Sequence, residues 1–278
     1  MSLTSFIAIP EIKEHFASTF PRPEINLDGA MTSPPHTNHY GLVGTAFDYM
    51  LRFYLEANTK KVITKGWVAE QAVQMTKQDP ALYKKANKIL EKCSKRYQSY
   101  QKTKKVSKEI LEATLLLAQL DPIYRAGYVD PNLGVIDKQD IEDLSSLISN
   151  VKPAMFKTKK ICLLNPTFGA GSILVGGADA DLIIDDTLID IKTTKYLKVD
   201  REYFNQLMGY YILYKIGKLD KYPKGLKIDK VGIYFSRYGK LVIFKIDDIT
   251  KNVDMSKFTK WFIREASKAF SVEVEGID

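Results

Sequence analysis

The residues best suited to chemistry sit in one stretch, 176–194, where Asp179, Asp181, Asp185, Asp186, Asp190 and Lys192 are set among Ile and Leu. Side chains alternate along a strand, so Asp179 and Asp181 share one face, and Asp190 and Lys192 share one face. Asp185–Asp186 is the most turn-like pair available, and a hairpin closed there sets 182 against 189 and 181 against 190. A three-residue loop would shift that register. With the register kept, Asp181 lies across from Asp190 with Cβ atoms roughly 4.5–5.5 Å apart. Like charges so placed repel, and they call for a shared proton or a bound cation. Carboxylate oxygens suit Mg²⁺ or Mn²⁺. Lys192 reaches the same point, and a hard cation beside an ammonium is a natural site for a phosphodiester. The metal polarises the phosphoryl oxygen or activates water, and the ammonium stabilises the charge that develops. The same spacing also fits a surface ladder of ion pairs, Asp179 with Lys192, and solvated aspartates.

The elements that must position these residues can be read around them. Branched, aliphatic runs at 172–175, 178–184 and 188–194 predict strands. A helix is predicted from Asp200 as N-cap to Ile216, closed by Gly217. Residues 231–236 and 240–246 predict a second hairpin around Tyr238–Gly239, and 256–270 a last amphipathic helix. Upstream, residues 1–40 predict a short helix and then a Pro-broken loop, in which His36 and His39 read as exposed. Phe47, Met50, Leu51 and Tyr54 mark one face of a helix over 45–56. Residues 60–150 predict helices at 67–77, 106–120 and 138–150 besides a basic stretch, with Asp121–Pro122 ending the second of these. This order implies an α/β or α+β layer architecture.

The 278 residues carry 41 Lys and Arg against 33 acids, a net charge of +8. Residues 83–108 alone hold ten bases, Lys95, Arg96, Lys104 and Lys105 among them, against one acid, Glu91. Such a local field favours a polyanion, and Tyr83, Tyr97 and Tyr100 among the bases could stack on unpaired nucleobases. A solvated lysine face is the alternative. Two cysteines, Cys93 and Cys162, supply neither a disulfide framework nor a four-thiolate metal site, and read as reduced thiols of a cytoplasmic protein. No apolar run approaches the ~20 residues that span a bilayer, and the N-terminus lacks the pattern of a secretory signal.

Asp181-Leu-Ile-Ile, a turn, and Ile189-Asp190-Ile191-Lys192-Thr193 resemble the D…(D/E)-x-K signature of the PD-(D/E)XK nuclease superfamily. Downstream, Tyr203-x-x-Gln206-Leu207-x-x-Tyr210 resembles the Q-x-x-x-Y element of its RecB-like exonuclease branch, which includes nuclease domains of recombination helicases and CRISPR-associated exonucleases. The motifs cover about an eighth of the chain. The resemblance implies one nuclease domain over 1–278, with a restriction-endonuclease-like mixed sheet flanked by helices and a helical, basic insertion at 58–150. It implies DNA cleavage with Mg²⁺ or Mn²⁺, from ends, in repair, recombination or defence, with protein partners possible in such a complex. Asp181, Asp190 and the Ile191 carbonyl would hold the metal, and Lys192, read as an exposed lysine at a strand end, and Gln206 would serve catalysis. Lys195, Tyr203 and Tyr210 would meet DNA, as would Lys95, Arg96, Lys104 and Lys105. Relatives often begin with a Gly-x-x-x-His helix; here Gly44-Thr-Ala-Phe-Asp48 puts Asp48 at the histidine's place, as a third ligand, a capping residue or a partner of Arg52. Glu112 competes as third carboxylate. Relatives with a four-cysteine iron–sulfur cluster are excluded as templates. A non-catalytic DNA-binding or assembly module on the same fold and a restriction-type endonuclease are the alternatives.

Overall fold

The computed structural model describes residues 2–220 and 225–271. Two short helices, α1 (Leu3–Ile7) and α2 (Pro10–Thr19), lead through a loop to α3 (Tyr40–Asn58). Then follow β1 (Val62–Ile63), α4 (Val68–Met75), α5 (Pro80–Thr103), α6 (Lys108–Ala126), α7 (Lys138–Ser149) and β2 (Cys162–Leu164). The chain continues through α8 (Ala170–Leu174), β3 (Leu182–Ile184), β4 (Thr187–Lys192), α9 (Arg201–Gly217), β5 (Lys230–Phe235), β6 (Lys240–Lys245), α10 (Ile246–Thr250) and α11 (Met255–Phe270). The six strands form one sheet in sequence order. β1 runs parallel to β2 and β4 parallel to β5, while the other neighbours are antiparallel. The expected mixed α/β class is therefore present. Among the described residues no helix is long and apolar enough to cross a membrane.

Helices cover both faces of the sheet, and alternation sorts the strand residues between them. Leu182, Ile184 and Ile189 pack under α3–α7 with Phe47, Leu51, Leu115 and Leu144. Ile183, Leu188 and Ile233 face the opposite way, against α1, α2, α9 and α11 with Phe6, Phe16, Leu207 and Phe262. Because both faces are dry, the strands read as unbroken apolar runs. Asp190 and Lys192 lie on the α9 side, continuing the face of Leu188.

Several elements depart from expectation. Residues 172–175 are not a strand; Ala170–Leu174 is helical, and Ser172 Oγ accepts from the Phe168 N–H (2.8 Å) and donates to the Ala178 carbonyl (2.6 Å). Glycines let this short helix press against the end of α9: a Cβ on Gly171 would lie 2.4 Å from the Leu213 carbonyl oxygen. Pro122 does not end α6, which runs on to Ala126. Burial of Ile110, Leu111, Ala113 through Asp121 and Ile123 in that helix outweighs the bond that proline removes. Val62 and Ile63 join the sheet, so 58–150 is not wholly helical. The start of α3 at Tyr40 places Thr45 and Asp48 beyond its first turn, which rules out the capping role for Asp48.

Candidate active site

The hairpin closes on Asp185–Asp186, and its register pairs 182 with 189, 183 with 188 and 184 with 187. Continued by one residue, it sets Asp181 opposite Asp190. Asp181 Oδ2 accepts the Ile191 N–H at 2.5 Å, so a side chain takes the place of a ladder bond where β3 has ended. In extended backbone the N–H and C=O of one residue leave on the same edge, so the Ile191 carbonyl is directed to that edge too. Asp190 is 1% exposed. Burial, then the charge of Asp190, then that of Asp48 push the Asp181 carboxyl well above the usual range. Burial also raises Asp190, against the opposing pull of Lys192.

Lys192 Nζ lies 2.8 Å from Asp190 Oδ2, a charge contact without hydrogen-bond geometry. The same nitrogen donates to Gln206 Oε1 (2.8 Å) and sits 4.9 Å from the centroid of the Tyr203 ring. Gln206 Nε2 in turn donates to the Tyr210 hydroxyl at 3.0 Å. Asp200 caps α9 by accepting from the Tyr203 N–H, as expected, and this fixes the phase that turns Tyr203, Gln206 and Tyr210 toward β4. Burial disfavours charge on Lys192, but Asp190 outweighs it and holds the ammonium above the usual lysine range. The side chain is only 18% exposed, not the exposed strand-end lysine expected from sequence.

Asp48 approaches from α3, whose Gly44 would place a Cβ 3.6 Å from Thr193 Cβ. Asp48 Oδ2 is held by Arg52 Nη2 at 2.6 Å, the i+4 pair foreseen, while Oδ1 is buried without a hydrogen-bond partner. Beyond it lie groups that sequence reasoning missed. The Tyr49 hydroxyl donates to Asp121 Oδ1 (2.6 Å), and Arg125 stands between Asp121 (3.8 Å) and Asp179 (3.6 Å). Asp179 is thus paired with Arg125 and does not form the ladder with Lys192. The signal for Arg125 was the i+4 spacing from Asp121, masked by the proline between them.

Burial first, with Asp48 adding, raises the Asp121 carboxyl to about 6. Its folded pKa lies above its unfolded value near 3.9, so the stability it contributes is fully present below that value and lost as pH rises through about 6. Asp121→Asn keeps an acceptor for Tyr49. It should therefore gain on the wild type between pH 4 and 6.5, by up to about 3 kcal/mol, in urea midpoints measured across that range. A gap that stays flat with pH would show that burial does not perturb Asp121.

Glu112 is not at the site: it pairs with Arg96 (3.0 Å) and Lys108 (3.8 Å), two and a half helical turns from Asp121, roughly 13 Å at 1.5 Å per residue. Arg96 is correspondingly engaged. Lys95, Lys104 and Lys105 are exposed, on α5 or just past it, and α5 packs on α3, α4 and α6 rather than on the hairpin. The tyrosines there do not await bases. Tyr100 is buried, Tyr97 packs on Phe53 and Trp67 with its hydroxyl donating to Glu56 Oε2 (3.0 Å), and Tyr83 packs against the same core. Lys84, Lys88, Lys95 and Lys102 share one exposed stripe at helical spacing. If that stripe carries DNA phosphates, changing all four to Gln should flatten the slope of log affinity against log salt by up to about 3.6. An unchanged slope would make the stripe a solvated face.

Lys195 is exposed beside the site, with Nζ 2.5 Å from the Tyr40 hydroxyl and 4.2 Å from its ring centroid. Among the described residues no three His, Cys, Asp or Glu side chains gather as a metal-ligating group. What the hairpin offers a hard cation is two facing carboxylates and a carbonyl, all oxygen donors, with the Asp48 Oδ1 unpartnered nearby. This donor set fits Mg²⁺ or Mn²⁺, with water completing the shell. No family model, no curated protein and no solved structure matches the chain.

Proposed function

We propose that the chain is a metal-dependent deoxyribonuclease of PD-(D/E)XK type, RecB-like, working from DNA ends on a restriction-endonuclease-like core. The observation that carries this reading is the facing Asp181–Asp190 pair with Lys192 against it, Asp190 buried and Asp181 half-buried rather than laddered across a surface. Burying like charges is unfavourable and is a feature of functional sites. The run of β2, β3, β4, α9 and β5, with the acids on the hairpin and Gln206 and Tyr210 on the crossover helix, supports the same reading.

Asp181, Asp190 and the Ile191 carbonyl would hold Mg²⁺ or Mn²⁺, with the unpartnered Asp48 Oδ1 as a third carboxylate acting through a water of the ion's shell. Bound there, the ion supplies Lewis-acid polarisation of the phosphoryl oxygen and a lowered pKa for water. Lys192 stays cationic at neutral pH because Asp190 holds its proton, so it orients the attacking water and stabilises the charge that grows on the phosphoryl oxygens rather than acting as a base. Gln206 and Tyr210 fix the lysine's position. Tyr210, its phenol raised by burial and by the site's aspartates, remains neutral.

The deciding experiment incubates the protein with end-labelled linear DNA and covalently closed circular DNA in Mg²⁺, Mn²⁺ or EDTA. Metal-dependent loss of linear DNA alone is expected. A cut circle makes the protein an endonuclease, and retardation without cleavage in either metal makes it a binding module.

A further inference from the structure

β6 is the last strand of the sheet, with β5 on one side only. The Ile246 N–H donates to the Asp229 carbonyl at 2.9 Å, whereas the N–H of Lys230, opposite Lys245, turns away from β6 to the Asp186 carbonyl (3.1 Å). Backbone groups alternate between the two edges of a strand. Residues 242, 244 and 246 therefore bond inward to β5, and Leu241, Ile243 and Lys245 direct their N–H and C=O groups outward. Among the described residues no backbone group pairs with these outward ones. Edge strands are commonly blunted by charge, bulges or proline. In β6 lysines stand only at the ends, Lys240 and Lys245, around Leu-Val-Ile-Phe, and the ladder to β5 is unbroken. Ile243 is 47% exposed on the α3–α7 side of the sheet, and its partner on β5 is Gly232, which has no side chain to cover it.

We infer that β6 pairs antiparallel with β6 of a second copy of the chain, joining the two sheets across a two-fold axis beside Ile243. Two facing edges bond only where an outward residue meets an outward residue. Odd-numbered residues therefore meet odd-numbered ones, and one register engages all of them: 243 with 243, and 241 with 245 on either side. Setting 241 against 243 instead would place Lys245 against Gly239, whose left-handed backbone (φ 53°) lies outside the strand. A shift the other way sets 241 against 247, which is already helical. The remaining register also keeps like charges apart. Lys245 faces Leu241 rather than a second lysine. Lys240, held in its own chain by the Asp28 carbonyl (2.8 Å), runs beside Ile246 of the copy, after which the exposed Asp247 and Asp248 open α10 with opposite charge. Paired residues share a face, so each Ile243 covers the other where Gly232 does not. Such a contact is isologous and closes at two copies. The axis reverses the strands, so the two Asp181–Asp190 pairs lie at opposite ends of the joined sheet and neither copy completes the other's site. The inference is thus independent of the nuclease reading.

An edge of this length buries less than the roughly 1,200–2,000 Å² of a stable interface, so association is expected to depend on concentration. Sedimentation velocity from low micromolar to submillimolar protein should show the mass rise from 31.6 kDa toward twice that value. Ile243→Lys, a change at an exposed side chain, sets like charges opposite each other on the axis. It should hold the protein monomeric with its melting temperature nearly unchanged. Register is read by cross-linking, for which the buried Cys93 and Cys162 are a quiet background. With a thiol-reactive linker of about 8 Å, Ile243→Cys should cross-link to itself, whereas Lys245→Cys, whose two copies stand roughly 14 Å apart, should not. A chain that stays monomeric at every concentration overturns the inference and leaves the edge to another partner. So does a dimer that survives Ile243→Lys, or one that Lys245→Cys captures and Ile243→Cys does not.

Discussion

Lys192→Met is expected to cleave linear DNA at least a hundredfold more slowly than the wild type, with DNA affinity nearly kept. On the nuclease reading the ammonium is aimed at charge that exists only in the transition state, and losing one such preorganised group costs about 10²–10³ in rate. Methionine is the instructive replacement because the lysine stem is packed, and alanine would add a cavity to the loss of charge. Stability also falls, since Asp190 is left buried without a counter-charge; breaking a buried pair costs about 3–5 kcal/mol. Asp190→Asn added to Lys192→Met should restore most of that stability and none of the activity. Wild-type rates in Lys192→Met would remove the lysine from the chemistry, and a double variant no more stable than the single would remove the ion pair from the energetics.

Asp190→Asn is expected to abolish cleavage and, with it, the thermal stabilisation expected from bound metal. An ion that binds only the folded hairpin at a hundred times its dissociation constant adds about 2.7 kcal/mol, which for a chain of this size raises the melting temperature by roughly 5 °C. The variant loses that rise because one of the two facing carboxylates is gone. Its metal-free melting temperature should fall less than that of Lys192→Met, since relief of the repulsion on Asp181 offsets part of the counter-charge that Lys192 loses. Scanning calorimetry with and without millimolar Mn²⁺ reads both quantities. A wild-type melting temperature indifferent to Mn²⁺, with no heat of binding on titration, would falsify the metal site.

The hairpin was legible because its information is local. Asp185–Asp186 fixes the turn, period-two alternation fixes the faces, and the observed register is the one those two facts dictate. The start of the helix after it was legible from Asp200 for the same reason, whereas its end was not: Gly217 is still helical and the left-handed residue is Lys218. What escaped is set by distant partners. β2 is three buried residues without alternation, indistinguishable from any short apolar run until Leu163 finds Ile183. Ser172–Val175 has strand composition but is drawn into helix by Gly171 and Gly217, whose missing side chains matter only once two helices touch. Lys192 looked exposed because nothing in its neighbourhood announces Gln206 and Tyr203 closing over it. Asp121 and Arg125 were hidden behind Pro122, a local helix breaker overruled by packing on α3 and α4.

The parallel pairing of β1 with β2 joins Val62 to Cys162 across one hundred residues. The β3–β4 and β5–β6 ladders, by contrast, close over a few residues each. Loop closure grows more costly with length only slowly, but non-local pairing slows folding markedly. The two hairpins can therefore form early, whereas α3, which carries Asp48, belongs to a layer anchored to the sheet late. The same asymmetry persists in the native state, where openings proceed by cooperative units. An opening that lifts the α3–α7 layer removes Asp48, Arg52 and Arg125 together while leaving Asp181 opposite Asp190. On the nuclease reading such a state would be folded yet without its third carboxylate, and activity would depend on the docking of that layer as well as on the intactness of the hairpin.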